Sequence, residues 1–141
     1  MQIDLDTLRH FFSLAPFLVD LGVEAVGVAP GEVQSRLVLQ PRHLQHTGQA
    51  HAGVLATLAD HSMGAAAQTM APEGLWVVTA ELKTSLLRPA RGPELICEAV
   101  VLKPGRSLSF TEAMVWSVDA TGQRTLVMKA SATMAMVAQS A

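Results

Sequence analysis

The sequence has a single cysteine, Cys97, among 141 residues. A lone thiol closes no internal disulfide, so burial rather than covalent stapling must hold the fold, as suits a reducing compartment. A basic excess is missing as well. The formal charge is −2 with a pI near 6.2, and aromatic residues make up only 4% of the chain, which leaves neither the field nor the stacking surfaces that nucleic acid needs. No uncharged apolar run reaches the roughly 18 residues of a membrane span, and the start, Met1 to Asp6, is acidic where a secretory leader is basic. Repeats, low-complexity tracts and linkers are absent, so one continuous domain over residues 1–141 is expected, in a soluble cytoplasmic protein without membrane or nucleic-acid partners. His43, His46, His51 and His61 form no closed ligand set with a cysteine or carboxylate, and no metal or other cofactor is expected.

What the chain does have is apolar surface. Hydrophobic residues account for 50% and charged residues for only 16%, which is little polar cover for a 15.0 kDa chain and points to burial against another subunit. Leu5, Leu8, Phe11, Phe12, Leu14 and Phe17 recur at near-helical spacing over residues 4–21, with Pro16 a late break or kink. Val23 to Ala29 and Val33 to Leu39, joined at Pro30-Gly31, read as a valine-rich hairpin. A polar loop follows from Pro41 to Ala50, then a helix from Ala52 to about Met70 whose many alanines let a sheet approach closely. On that helix Leu55, Leu58, Ala59, Met63 and Ala66 share an apolar face, and Thr57, Asp60, His61, Gly64 and Gln68 form a polar stripe. Strand-like runs Leu75 to Leu87, Glu94 to Leu102, Ser107 to Val118 and Gln123 to Val137 complete the chain. Their methionines, Met114, Met128, Met134 and Met136, read as core or pocket filler. The expectation is an α+β fold: a strand pair, a central helix, then a four-strand meander, with a curved antiparallel sheet wrapped around the helix.

The segment His51-Ala52-Gly53-Val54-Leu55-Ala56-Thr57-Leu58-Ala59-Asp60 carries the chemistry. At the start of a helix, unsatisfied backbone N–H groups and the helix dipole favour negative charge developing on a ligand oxygen, as an acyl-transfer oxyanion requires. Asp60 is the only acid between Glu32 and Glu73 and is the available general base or nucleophile. Ala52 and Asp60 are eight positions apart, about 12 Å along a helix. One electrophilic carbon cannot touch both, so the two groups serving one site must come from different chains of a two-fold dimer.

Residues Gln45-His46-Thr47-Gly48-Gln49-Ala50-His51-Ala52-Gly53, continued by Leu58-Ala59-Asp60, resemble the signature of the hotdog-fold acyl-CoA thioesterases, in particular the phenylacetate-pathway and 4-hydroxybenzoyl-CoA branch. Thr79 to Lys83 leading to Arg88-Pro89, and Leu102 to Phe110, resemble that family's third strand and following hairpin. The resemblance implies that Asp60 is the catalytic acid, that Gln45 orients substrate or water, and that Thr79 contacts the site. It implies an oxyanion donor at the amide of Ala52 or Gly53. Ala52 departs from the commoner His-Gly-Gly pattern, yet alanine takes a helical φ without cost. His51 orders the turn by hydrogen bonding and positions substrate. Lys103, Gly105, Arg106 and Ser107 fall where relatives hold the coenzyme A nucleotide, with two cations suited to phosphates. The partners implied are an acyl-CoA substrate, aromatic or medium-chain, and the chain itself, as a homodimer with shared sites and a homotetramer that is a dimer of dimers. Two other functions are open to the same fold: an acyl-CoA-binding domain without turnover, and a hydratase or dehydratase with His51 as base.

Overall fold

The computed structural model describes residues 2–139. Asp4 caps the first helix, α1 (Leu5–Ser13), by accepting the Thr7 N–H at 2.8 Å, with Asp6 in the first turn where the helix dipole favours it. Pro16 does not kink this helix. It opens a second, α2 (Pro16–Leu21), at a position where its missing N–H costs nothing, and Gly22 ends that helix at φ 89°. Leu8 and Phe12 carry α1 into the core.

The hairpin β1 (Glu24–Ala29) and β2 (Glu32–Val38) turns at Pro30-Gly31. Gly31 has φ 74°, and its N–H donates to Thr69 Oγ1 at 2.8 Å, tying the turn to the far end of the long helix. After a short 3₁₀ turn at Pro41–His43 comes α3 (Ala52–Gln68). The remaining strands are β3 (Leu75–Leu86), β4 (Glu94–Lys103), β5 (Leu108–Val118) and β6 (Arg124–Ala138).

All six strands join one antiparallel sheet in the order β1-β2-β4-β5-β6-β3, and α3 packs against five of them, β2 to β6. Leu55, Leu58, Ala59, Met63 and Ala66, the apolar face expected from the periodicity, are buried, and Ala67 joins them. Met128 and Met134 are likewise buried completely. In the same interior Ser35 and Ser62 hydroxyls meet at 2.6 Å. Burial pushes the Cys97 thiol up to about 12, against hydrogen bonds with Ser62 and Ser35 that pull it down.

The four-strand meander is corrected to three strands. β4, β5 and β6 follow one another, but β3 lies beyond β6 and β4 pairs with β2. The connection from β3 to β4 is a proline-bounded arm rather than a tight turn. Its Leu87 N–H donates to Val127 O at 2.8 Å, and Ala90 O accepts the Ala50 N–H at 2.9 Å, so the arm is bound along its path and returns the chain to β2. As a result β3 is an edge strand of 12 residues.

Candidate active site

The turn before α3 is built from backbone hydrogen bonds. Gln45 N–H donates to Gln49 O at 2.8 Å, Gly48 N–H donates to Gln45 O at 3.0 Å, and His51 N–H donates to His43 O at 2.9 Å. Gly48 takes φ 84°, the left-handed conformation that glycine adopts without strain. His51 then caps the helix: its Nδ1 accepts the Gly53 N–H at 2.8 Å. That bond places the ring proton on Nε2 and occupies the Gly53 amide. The Ala52 N–H has no partner among the described residues. Gln45, Ala52, Leu86 and Arg88 border one cavity of about 280 Å³ at this end of the helix.

Asp60 lies two turns further along α3, half-buried. The Thr79 hydroxyl donates to Asp60 Oδ1 at 2.7 Å and sits 3.5 Å from Met134 Sδ. A register shift in the β3–β6 pairing falls between Thr79 and Glu81. Such a bulge re-aims the neighbouring side chains locally. Asp60 and Thr79 border a second cavity, of about 410 Å³, between α1, α3 and β3.

Within one chain, therefore, Asp60 and Thr79 are hydrogen-bonded, and Gln45 and Ala52 border a common cavity, but the two pairs open into separate cavities. Lys103, Gly105, Arg106 and Ser107 form an exposed hairpin tip, and none of them borders the Asp60 cavity. Gly105 is sterically required, because a Cβ there would lie 2.1 Å from Leu108 O. Among the described residues no cluster of three or more histidine, cysteine or acidic side chains could hold a metal ion.

The residues that periodicity did not assign to the site are the walls of the larger cavity. Phe12 meets the His61 ring edge-on at 4.4 Å, and Phe11 meets Trp76 edge-on at 6.4 Å. Burial holds the His61 imidazole below its ordinary value, partly offset by the Asp60 charge. The polar stripe of α3 was a legible signal, but its roof is not. Asp60, His61, Gly64 and Gln68 face this cavity rather than open water because α1 folds back over them.

Residues 47–123 match the family described as Thioesterase superfamily. The chain is 31% identical to human acyl-coenzyme A thioesterase 13 over 104 residues, covering 73% of this chain and 70% of that protein. The curated relatives it matches are covered over about two thirds of their own length, 66% to 70%. Among solved structures, a thioesterase family protein from Silicibacter pomeroyi superposes with a TM-score of 0.90 at 29% identity, covering 94% of this chain and 96% of that one. The PaaI protein of the E. coli phenylacetic acid degradation operon superposes with a TM-score of 0.82, covering 96% and 94%, and at 17% identity shares the fold. The architecture is the hotdog fold, α+β, with the sheet around the long central helix.

Proposed function

The chain belongs to the thioesterase superfamily and is a thioester hydrolase, and on that premise we propose that it cleaves acyl-coenzyme A at sites shared between two copies. The observation that carries this reading is the separation of two half-sites along one helix. An amide free to donate lies at Ala52, and a carboxylate held by Thr79 lies about 12 Å further on. Two copies related by a two-fold axis with their α3 helices antiparallel would bring each Ala52 amide opposite the partner's carboxylate.

The edge strand supports such a dimer. Every residue of β3 from Val78 to Leu86 is exposed, including the apolar Val78, Leu82 and Leu86. An uncovered edge of that length offers a row of unpaired backbone groups to a second chain. Pairing β3 with its copy would continue the sheet and bury those side chains. The proposed assembly is a homodimer, with a dimer of dimers above it, and light scattering measures both.

In the proposed reaction the Ala52 N–H donates to the thioester carbonyl oxygen, and the helix dipole stabilises the negative charge that grows there. Gly53 is less suited because His51 holds its N–H. The same bond leaves His51 Nε2 protonated, a donor to substrate and not a base, which disfavours a hydratase that depends on it. Asp60 acts on the carbonyl carbon, directly or by taking a proton from water. Collapse of the tetrahedral intermediate breaks the C–S bond, and the sulfur leaves as thiolate and is protonated; water supplies the new oxygen of the acid, either in that first attack or by hydrolysing the acyl–Asp60 anhydride that direct attack forms, which frees the carboxylate again. Gln45 orients the substrate or water. Lys103 and Arg106, with the backbone at Gly105 and Ser107, meet the coenzyme A phosphates. The acyl group is aromatic or medium-chain, as in the phenylacetate and 4-hydroxybenzoyl branch.

Mixed dimers test the shared site. Ala52→Pro removes the donor, and proline is tolerated there because it sits at the first helical position and His51 is already extended at ψ 140°. Asp60→Asn removes the acid. Each parent is expected to be inactive, and the mixture to regain activity because one of its two sites inherits both intact groups. Proven mixing without recovery overturns the shared site.

A further inference from the structure

The middle of the Asp60 cavity is set by a residue with no side chain. Gly64 lies on the same side of α3 as Asp60 and Gln68, one turn from each, and all three border the cavity. Glycine inside a helix is less favourable than alanine, so its presence at this point calls for a cause. The backbone supplies none, since Gly64 is not among the positive-φ glycines. Packing supplies none either, because a Cβ built there meets nothing within 4 Å. The space it leaves belongs to the cavity.

That cavity has distinct ends. At one, Asp60 and Thr79 hold the polar chemistry at 2.7 Å. At the other, the Gln68 amide is tied to the start of β3: its Nε2 donates to Leu75 O and its Oε1 accepts the Val77 N–H, both at 3.0 Å. Those two bonds fix Gln68 in place at the far end of the row and leave its amide one further N–H and one lone pair. Between the ends the walls are mostly hydrocarbon and aromatic edges, Leu8, Phe11, Phe12 and Trp76, with the His61 imidazole packed against Phe12, and among the described residues no lysine or arginine borders the space. From Asp60 to Gln68 the helix advances about 12 Å.

We propose that this cavity takes the acyl tail of the thioester and that Gly64 sets its size limit. This assignment rests on the thioesterase reading with Asp60 at the reacting carbonyl. The tail runs from Asp60 over Gly64 toward Gln68, so the favoured substrates carry an aryl or medium-length alkyl group. A tail much longer than the Asp60 to Gln68 row runs beyond the residues that line the cavity, and one that ends in a carboxylate meets no lysine or arginine there.

The test measures kcat/KM for coenzyme A thioesters from butanoyl to hexadecanoyl, with phenylacetyl and succinyl, on the full chain and on Gly64→Ala, Gly64→Val and Gly64→Leu. The wild type is expected to favour medium-length and phenylacetyl groups over succinyl and hexadecanoyl. The decanoyl-to-butanoyl ratio should fall progressively from Ala to Leu, by about 10-fold or more in Gly64→Leu, as added methyl groups occupy the space of the tail. Circular dichroism confirms that each variant is folded, and the alanine variant, a better helix former, secures the comparison if the larger side chains unfold the protein. Hydrolysis by the wild type with an unchanged ratio in the folded Gly64 variants overturns the assignment of the cavity alone. No hydrolysis of any thioester by the wild type overturns the parent reading and this one with it.

Discussion

Thr79 reaches from the edge strand to the central helix and donates its hydroxyl to Asp60 Oδ1 at 2.7 Å. The bond restrains the direction of a carboxylate that its own helix would leave free to rotate, and it engages one of the two oxygens, Oδ1. In the proposed mechanism Asp60→Asn keeps the shape and removes the charge. Its kcat is expected to fall by about 10² to 10⁴, with circular dichroism and melting temperature near those of the wild type. Near-normal turnover would take Asp60 out of the mechanism.

Thr79 is a positioning residue in this scheme, so its loss should lower kcat more than it raises KM. Thr79→Val removes the hydroxyl and keeps the shape, and Thr79→Ser restores the donor. A drop of about 10-fold in kcat for valine with recovery in serine is the expected pattern, as the loss of one hydrogen bond to a charged group implies. Normal turnover in valine with a loss in serine would show that the β-branched side chain, not its hydroxyl, matters at this position.

The His51 cap predicts a stability effect separable from chemistry. His51→Ala frees the Gly53 N–H and should cost about 0.5–2 kcal/mol, the range for losing a helix cap, read from urea unfolding. His51→Asn, a good capping residue, should regain much of that stability. If stability is unmoved in His51→Ala, the 2.8 Å bond contributes nothing to the fold.

Burial lowers the His61 pKa below its ordinary value of 6.5. The unfolded chain therefore binds more protons than the folded one between the lowered value and 6.5, so stability rises with pH across that window. On acidification the protein should start to lose stability near pH 6.5 and go on losing it until the folded value is passed. Melting temperatures taken from pH 7.5 downward measure this, and the slope should flatten in His61→Gln. An unaltered slope would mean that other groups set it.

Cys97 is expected to be inert in the native state. Its thiol, pushed up to about 12 and buried, holds almost no thiolate at pH 8, and the thiolate is the nucleophile. Labelling by iodoacetamide should proceed only through unfolding and accelerate in urea in parallel with it. Fast labelling of the folded protein would contradict the burial.

Local patterns determined much of this protein. The alanine-rich run placed α3, the Pro30-Gly31 pair placed a turn, and the spacing from Ala52 to Asp60 separated the two halves of the proposed site, because helix rise and turn geometry are properties of neighbouring residues. Sheet order was not legible in the same way. Any of these strands alternates well enough to pair with several others, so nothing short-range says that β3 lies beside β6 and not β4.

The same holds for the cavity. Phe11 and Phe12 look from their spacing like the core face of an ordinary amphipathic helix, and only the path of the chain lays that helix over Asp60, His61 and Gly64. Gly64 by itself reads as a weak point in a helix. It becomes the middle of a cavity once three segments far apart in sequence, α1, α3 and β3, border it, since a cavity is a relation among distant surfaces that no local pattern encodes.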